Sequence, residues 1–455
     1  MRVNEGALPS PRAIASPPPR VLTVLAGAAL VAVVAVLSLS RYPPPYGPEL
    51  ALGLGLLAVI ALAVVHVEAA ALVGFVLLAV VLVEPAPADL VLLVVIAVTV
   101  VTGRFRASVP PTALLALGGF LALSLLSAVE VVDHGAAAFY LGISMYLVVA
   151  ALWLSGFVNS PRRARIVAGG YLTAAVASAA LGVLALVAAF PGGELFVSAG
   201  RVHALFEDPN IFGPFLVPIA LILLEDLLTP RLFSLRALWK ASLVGLLVLG
   251  VVLSYSRGAW INLAVGAVVL LTVLGLRRGG GRKVMQVALL TALVSTFVVL
   301  VLVGTGSTGF LLERADLQEY DSGRFAAQVT GIESAERYPL GIGPGQFESY
   351  ASISAHSTYV RALAEQGIPG LILVAAFLVS TLTAAIGNAV AGRETYGIGS
   401  AALLGALCGI LVNSAVVDTL HWRHLWIVVA LIWAGWARRR LLNRQHALPA
   451  RAAAS

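Results

Sequence analysis

The sequence predicts an all-α polytopic integral membrane protein with about 12–14 transmembrane helices and one large loop outside the membrane. Hydrophobic residue types make up 60% of the 455 residues and charged types only 11%, and the mean hydropathy is +0.98. One water-facing core cannot hide this much apolar side chain, because soluble domains contain about 45–50% apolar and 25% charged residues. The apolar stretches are also continuous rather than alternating, which excludes an outer-membrane β-barrel.

Fourteen apolar stretches are candidate spans. They cover residues 21–40, 49–65, 67–83, 88–102, 112–130, 136–157, 165–190, 211–228, 238–254, 259–276, 284–304, 361–387, 398–417 and 424–437. The second, third, fourth and last are short for about 30 Å of hydrocarbon, so each could be a tilted, re-entrant or merged element. For this reason the number of spans is predicted as a range.

The positions of the charges predict the orientation. With the N-terminus in the cytoplasm, 21 of the 29 Lys and Arg residues fall on the cytoplasmic side, and 17 of the 22 acidic residues fall outside. Cytoplasmic loops carry the Lys and Arg excess, so both termini are predicted to be cytoplasmic. The basic residues behind the net charge of +7 are then predicted to anchor the protein at the inner face of the membrane and not to form a nucleic-acid surface.

The spans divide the chain into five segments. They are a cytoplasmic tail at 1–20, a bundle of about eleven spans at 21–304, an outer loop at 305–358, about three spans at 359–437 and a basic cytoplasmic tail at 438–455. The outer loop begins as an amphipathic helix, which we expect to break near Asp321–Gly323, and continues as the glycine-rich segment LGIGPGQFESY. A single ordered loop on one face predicts that the protein works there.

Two polar clusters lie at outer ends of spans in the middle of the chain. In the first, Arg201 precedes Asp208-Pro209-Asn210. This tripeptide is an N-terminal helix signal, in which Asp or Asn caps the helix that follows. In the second, SYSRGAW forms a tight turn in which Ser256 and Gly258 hold Arg257 at the membrane edge. Arg257 could snorkel to lipid phosphate, or both arginines could bind an anionic ligand, since neither is needed for orientation.

The third cluster surrounds the twelfth span. His356 immediately precedes this span, and Glu365 lies about two and a half turns along it. A lone interfacial histidine is most often a polar residue near headgroups, but its pKa also suits it to accept a proton near neutral pH. Two arginines and one histidine on one face predict a site that clamps a pyrophosphate and deprotonates a hydroxyl.

Metal chemistry is less favoured by the sequence. Glu313, Asp316 and Glu319 share a helical face that could ligate a hard cation, but a solvated face is the better interpretation. His421 and His424 lie at the start of the last span, where an interfacial belt of Trp and His is favoured. We therefore predict no metal and no cofactor.

In these clusters the chain resembles the O-antigen ligase and O-antigen polymerase superfamily of bacterial envelope glycosyltransferases. The matching motifs are Arg201 with FEDPNIFGPFL, then SYSRGAW, then SGRFAAQ through PLGIGPGQF, and finally AHSTYVRALAEQGIPGL. The resemblance implies metal-independent, inverting transfer of a glycan from a polyprenyl (undecaprenyl) pyrophosphate to an acceptor hydroxyl. It also implies a multi-pass protein of the bacterial inner membrane, with the outer loop and the active site facing the periplasm.

The resemblance further implies a role for individual residues. Arg201 and Arg257 match the arginines that hold the pyrophosphate, and Arg324 matches the SGR element, which orders the loop or binds phosphate. His356 matches the general base that activates the acceptor. Supporting positions are Asp208, Asn210, Ser256 and Glu365, the last of which would orient this region.

Three functions stay open at this point. A ligase would use a lipid A core sugar as acceptor and a polymerase a second lipid-linked glycan; the motifs do not decide between them, and we favour the ligase. A multispan transporter would place ionisable residues at mid-bilayer, whereas these span interiors are almost free of charge. The predicted partners are the lipid-linked donor, the acceptor and membrane lipids, with no nucleic acid.

Overall fold

A computed structural model describes residues 47–82, 85–188, 190–277, 319–351 and 353–452, together with isolated positions between 281 and 309. The predicted tail at 1–20, the first span at 21–40 and most of the eleventh span at 284–304 lie outside the described residues. Residues 1–70 and 71–455 form two compact units. The first unit contains the apolar helix α1 (Gly47–Val65), and the site described below belongs to the second.

The remaining elements are numbered in chain order. The helices are α2 (Val67–Val76), α3 (Pro87–Val101), α4 (Pro111–Ser127), α5 (His134–Phe157), α6 (Pro161–Val187), α7 (Pro209–Leu228), α8 (Ala237–Leu253), α9 (Arg257–Leu276), α10 (Glu319–Arg337), α11 (Phe347–Tyr350), α12 (Thr358–Val390), α13 (Ser400–Asn413) and α14 (Arg423–Ala452). Short 3-10 turns cover Leu77–Ala79, Ala128–Glu130 and Gly193–Phe196, and β1 (Val197–Ser198) pairs antiparallel with β2 (Arg201–Val202).

This architecture confirms the predicted all-α membrane fold. Each of the twelve predicted spans within the described residues coincides with a helix. Five helices are long and apolar enough to cross a membrane, namely α5, α6, α7, α9 and α12, and several shorter apolar helices accompany them. The basic segment after residue 437 continues α14 as helix.

Polar side chains set the starts of several helices. The side chains of Asp133, Ser160, Asp208, Ser256 and Ser357 accept a hydrogen bond from a backbone N–H in the first turn of α5, α6, α7, α9 and α12. Each cap satisfies a donor that would otherwise be unpaired, a contribution of about 1 kcal/mol. The sequence thus fixes where α7, α9 and α12 begin, and these three starts build the site.

Helix α7 lies at the centre of the bundle. In its most apolar window 78% of the residues are buried, against 28% in α9, which is therefore peripheral. Helix α7 packs against α8, α9 and α13, and α9 packs closely along α13. Gly266 and Gly405 face each other there, and a Cβ on either would meet the other's backbone, so small residues allow the close approach.

Buried ion pairs fasten the other end of α7. Asp226 pairs with Lys240 of α8 at 2.7 Å, and both side chains are at most 3% exposed. Glu225 accepts a hydrogen bond from the backbone N–H of Ala402 at 2.7 Å and pairs with Arg277 at 3.4 Å. These contacts join α7, α8, α9 and α13, because an unpaired charge at such buried positions would be costly.

The structure corrects one prediction for the outer loop. Helix α10 is continuous through Asp321–Gly323, so the predicted break there is wrong. A glycine within a helix costs about 1 kcal/mol relative to alanine, which packing of the helix can outweigh. Helix α10 packs against α12 and buries Ala327, and this contact holds the helical conformation.

Candidate active site at the starts of α7, α9 and α12

Arg201 joins three elements through hydrogen bonds. Its Nε donates to the carbonyl of Ser254 at the end of α8 at 3.0 Å, and its Nη2 donates to Oδ1 of Asn210 at 2.8 Å. Asp208 caps α7, and its Oδ1 accepts from the backbone N–H of Asn210 at 2.8 Å. Asp208 thus caps α7 as predicted. Arg201 connects the start of this helix, through Asn210, to the end of α8, through Ser254.

The SYSRGAW turn connects α8 to α9. Tyr255 has a φ of 48°, and Ser256 caps α9 by accepting from the N–H of Ala259 at 3.3 Å. A Cβ at Gly258 would collide with Oδ1 of Asn413 at the end of α13, so a larger residue there would require the Asn413 side chain to move. The turn therefore holds Arg257, the first residue of α9, in a fixed position at the end of the bundle.

A cavity of about 220 Å³ opens between these elements and α10. It is lined by Asn210, Tyr255, Ser256, Arg257, Gly258, Ile261, Arg324, Phe325, Gln328, Val416 and Val417. Arg257 and Arg324 come from separate motifs, and the fold brings both to one cavity. Arg201 adjoins it through Asn210. Two guanidinium groups at one concave surface suit an anionic ligand.

His356 lies beside this cavity in a strained conformation. Its φ is 43°, and its carbonyl accepts from Nε2 of Gln328, a cavity residue, at 3.2 Å. Burial lowers the pKa of the half-buried imidazole below its ordinary value, and nearby Arg324 lowers it further, while Asp208 acts in the opposite direction. The side chain is consequently neutral near pH 7 and able to accept a proton.

Glu365 lies one helical turn after Arg361, whose guanidinium also contacts two other carboxylates. Nη1 of Arg361 donates to Oε1 of Glu365 at 2.9 Å and to Oε2 of Glu348 at 3.3 Å. Nε of Arg361 also forms an ion pair with Oδ2 of Asp418 at 2.9 Å. Glu365 is fully buried, so the arginine offsets the cost of burying its charge.

The glycine-rich segment is held on α12 by Glu365 and by a break in that helix. Gly367 has φ 68° and ψ −168°, and Pro369 lacks an N–H, so the carbonyls of Ala364 and Glu365 have no helical partner. They accept instead from the N–H groups of Ile342 and Gly343, both at 2.9 Å. These hydrogen bonds hold the glycine-rich segment against α12, and the orienting role of Glu365 in the site stays a prediction.

The Glu365 carboxylate itself fixes the next residues of this loop. Its Oε2 accepts from the N–H of Gly345 at 3.0 Å and its Oε1 from the N–H of Phe347 at 3.3 Å. Gly341 and Gly345 have φ values of 90° and 70°, which disfavour residues with a side chain. Phe347 also packs in one buried cluster with Ala355 and Ala364, which joins this loop to the segment that carries His356.

Two residues of this region are not among those predicted from the sequence. Gln328 lies one helical turn after Arg324, and this helical spacing indicates that both share a face. Arg361 pairs with three carboxylates, two of which are distant in sequence and one of which lies one turn away. Of the weaker metal candidates, Glu313 and Asp316 lie outside the described residues.

The histidines at the start of α14 are also placed differently from the prediction. His424 and Trp422 are 1% and 6% exposed, so the expected interfacial belt is wrong for these two residues. His421 lies in the preceding loop, where its Nε2 is 3.0 Å from Oγ of Ser144. Packing against α5 and α7 takes them into the protein interior, which a linear pattern cannot reveal.

Comparison with known proteins bears on the same region. Residues 242–375 match the family model described as O-Antigen ligase. This range contains Arg257, Arg324, His356 and Glu365, while Arg201 precedes it. No curated protein matches the chain. Over residues 242–375, the match confirms the resemblance to the O-antigen ligase and O-antigen polymerase superfamily that the motifs indicated in this integral membrane protein.

Proposed function

We propose that this protein is a glycosyltransferase of the O-antigen ligase type, which moves a glycan from a polyprenyl pyrophosphate carrier to a lipid A core sugar. The observation that carries the proposal is the cavity that Arg257 and Arg324 share, with His356 beside it. A pyrophosphate leaving group needs fixed positive charge, and an attacking hydroxyl needs a base. The two arginines line the cavity and the histidine lies beside it, and all three fall within the matched family region.

In this mechanism Arg257 and Arg324 bind the pyrophosphate of the donor. Arg257 is the first residue of α9, so the unsatisfied N–H groups and the positive end of that helix act in the same direction. Arg201 adds positive charge and positions Asn210, because two of its donors already bind protein oxygens. These charges stabilise the leaving group as negative charge builds on it.

His356 acts as the general base. Its neutral imidazole accepts the proton of the acceptor hydroxyl while that oxygen attacks the anomeric carbon of the donor sugar. The bond between the anomeric carbon and the pyrophosphate oxygen breaks, and its electron pair leaves with the pyrophosphate. Attack from the opposite face inverts the anomeric configuration. The residues account for each proton and charge in this step without a metal or a cofactor.

The charges at the two ends of the bundle support a periplasmic site. Helices α7 and α9 begin at the site, and their opposite ends lie near Arg231, Arg236, Lys240 and Arg277. Since cytoplasmic loops carry the positive excess, the site end faces the periplasm of a bacterial inner membrane. Both termini, with the tails at 1–20 and 438–455, are then cytoplasmic, the loop at 305–358 is periplasmic, and the segments at 21–304 and 359–437 hold the spans.

The test is a transfer assay with purified, reconstituted protein and a lipid-pyrophosphate oligosaccharide, with and without a lipid A core acceptor. We expect one product that requires the separate acceptor. His356→Ala should lower the rate by about 100-fold or more, and Arg257→Ala by a similar factor. Exposed His134→Ala and Arg236→Ala are matched controls that should retain activity.

The outcomes separate the possible functions. A ladder of products without the lipid A core would identify a polymerase that uses a second lipid-linked glycan. Full activity of both His356→Ala and Arg257→Ala would contradict the proposed clamp and base. If no product forms but the protein moves the lipid-linked glycan across a vesicle membrane, the transporter interpretation would replace the proposal.

A further inference from the structure

A second polar cavity of about 230 Å³ lies close to the first. One side of its lining consists of Glu207, Asp418, His421, Trp422, Arg423 and His424. The rest of the wall is apolar and consists of Leu78, Val81, Phe206, Ile211 and Phe215. A largely apolar pocket with a few convergent polar groups is the usual form of a site for a small organic ligand. The mechanism proposed above uses none of these lining residues.

His424 gives the strongest indication of a ligand. Its side chain is 1% exposed, and its Nε2 has no hydrogen-bond partner among the residues that the structure describes. The ring packs against Trp422, with centroids 4.9 Å apart, and against Phe215 at 6.0 Å. Buried polar atoms of native proteins nearly always have a partner, and His424 is one of the residues that line the cavity. A small movement of its ring would let a bound group supply the partner that this nitrogen lacks.

The charges of the cavity favour a neutral ligand. Nε of Arg423 donates to Oδ1 of Asp89 at 2.8 Å, and Asp418 forms the ion pair with Arg361 described above. The positive charge that an anion would need is thus already balanced. Within the described ranges no group of three His, Cys, Asp or Glu side chains could hold a metal ion, which disfavours a metal cation. The exposed carboxylate of Glu207 adds negative charge to the lining, which further disfavours an anion.

We propose that this cavity binds a sugar ring of the acceptor glycan, an inference that rests on the proposed function. A sugar hydroxyl can donate or accept, so it can satisfy the His424 nitrogen in either tautomer. The carboxylates of Glu207 and Asp418 accept hydrogen bonds from further hydroxyls. Trp422 and Phe206 supply apolar surface for the C–H faces of the ring.

The position of the cavity fits the acceptor. Val416 and Val417 line the first cavity and Asp418 the second; likewise, Asn210 lines the first and Ile211 the second. The same two short segments thus form the wall between them. Thr358, two residues after His356, is 3.2 Å from Asp418 through its Oγ1. An acceptor sugar held by Asp418 would therefore lie close to the base.

The first experiment measures binding to the reconstituted full chain by saturation-transfer NMR. The probes are methyl glycosides of common hexoses, with glycerol as the polyol control and inorganic pyrophosphate as the probe of the first cavity. We expect at least one glycoside to bind and glycerol not to. Binding should weaken about tenfold or more in His424→Phe and in Glu207→Gln, because each loses a hydrogen bond to the sugar.

The variants are chosen so that unfolding cannot imitate the result. His424→Phe preserves an aromatic ring between Trp422 and Phe215 and removes only the polar nitrogens, and Glu207 is exposed, so its replacement leaves the core intact. Glu194→Gln, an exposed carboxylate outside this lining, is the matched control and should bind the glycoside as the wild type does. Unchanged sugar binding in both cavity variants would overturn the proposal.

Two further outcomes separate this inference from the proposed function. If pyrophosphate binds but no glycoside does, the sugar site is refuted and the proposed function stands. If glycosides bind through Glu207 and His424 but pyrophosphate does not bind, the proposed function is refuted and the sugar site stands. In the transfer assay, Glu207→Gln should raise KM for the acceptor with KM for the donor unchanged; the reverse split would assign the sugar to the donor and refute the acceptor site.

Discussion

Replacement of Glu365 tests whether one buried carboxylate holds the glycine-rich loop against α12, the helix that follows the proposed base His356. Its two oxygens accept from the N–H groups of Gly345 and Phe347, at 3.0 and 3.3 Å. Glu365→Ala removes both acceptors. It does not strand a buried cation, because Arg361 keeps its contacts with Glu348 and Asp418. The loss should therefore fall on the loop, and the fold of the bundle should persist.

The expected magnitude follows from the two hydrogen bonds. A hydrogen bond to a charged group contributes about 1.5–3 kcal/mol, so losing both should lower the local stability of the loop by about 3 kcal/mol or more. This corresponds to roughly 100-fold faster exchange of the two amides with solvent. Glu365→Gln keeps one acceptor oxygen and should give an intermediate effect.

Amide hydrogen exchange followed by mass spectrometry is the appropriate measurement, since it reports local opening. The N–H groups of Ile342 and Gly343 provide an internal comparison, because their acceptors are backbone carbonyls that the substitution retains. Glu348→Gln is the matched control, since Glu348 also pairs with Arg361. Wild-type exchange at Gly345 and Phe347 in Glu365→Ala would refute the anchoring argument.

Three further predictions concern pH, backbone conformation and buried charge. Burial and Arg324 hold the pKa of His356 below its ordinary value, so the imidazole should stay neutral below pH 6.5. Arg324→Gln should raise this pKa and shift the acidic limb of the pH–rate profile to higher pH. Gly341 has a φ of 90° and lies against a carbonyl of α12, so Gly341→Ala should lower the free energy of unfolding by roughly 2 kcal/mol or more, measured by thermal unfolding. Gly118 in α4 has open space around it, so Gly118→Ala should be neutral or stabilising. Asp226→Ala, which breaks the buried ion pair between α7 and α8, should cost about 3–5 kcal/mol, and an unchanged melting temperature would contradict that role.

Much of the fold could be predicted because it depends on local signals. Continuous apolar runs mark helices, and Asp208 and Ser256 stand where caps are needed, so the starts of α7 and α9 follow from a few neighbouring residues. The break in α12 was less evident. Gly367 and Pro369 are visible in the sequence, but the carbonyls they free are satisfied by a loop about twenty residues earlier.

The site was predicted in part for the same reason. Arginines without a role in orientation pointed to Arg257, and His356 was indicated by its chemistry. Their grouping around one cavity depends on α10, whose packing on α12 brings Arg324 to the same surface. The second cavity could not be predicted, since His424 becomes buried only when α14 packs against α5 and α7.

Two basic residues show that the number of charges on each side of the membrane explains only part of what these charges do. Arg277 and Lys240 belong to the positive excess from which the orientation is predicted, and each also pairs with a buried carboxylate of α7. Orientation requires only that a charge stays on one side, whereas a buried carboxylate requires a partner within about 4 Å. Both requirements are met by one residue when a helix ends at the membrane surface beside an acid of its neighbour. A charge that serves topology and packing together should tolerate exchange of Lys for Arg poorly, because the pairing geometry differs although the sign does not.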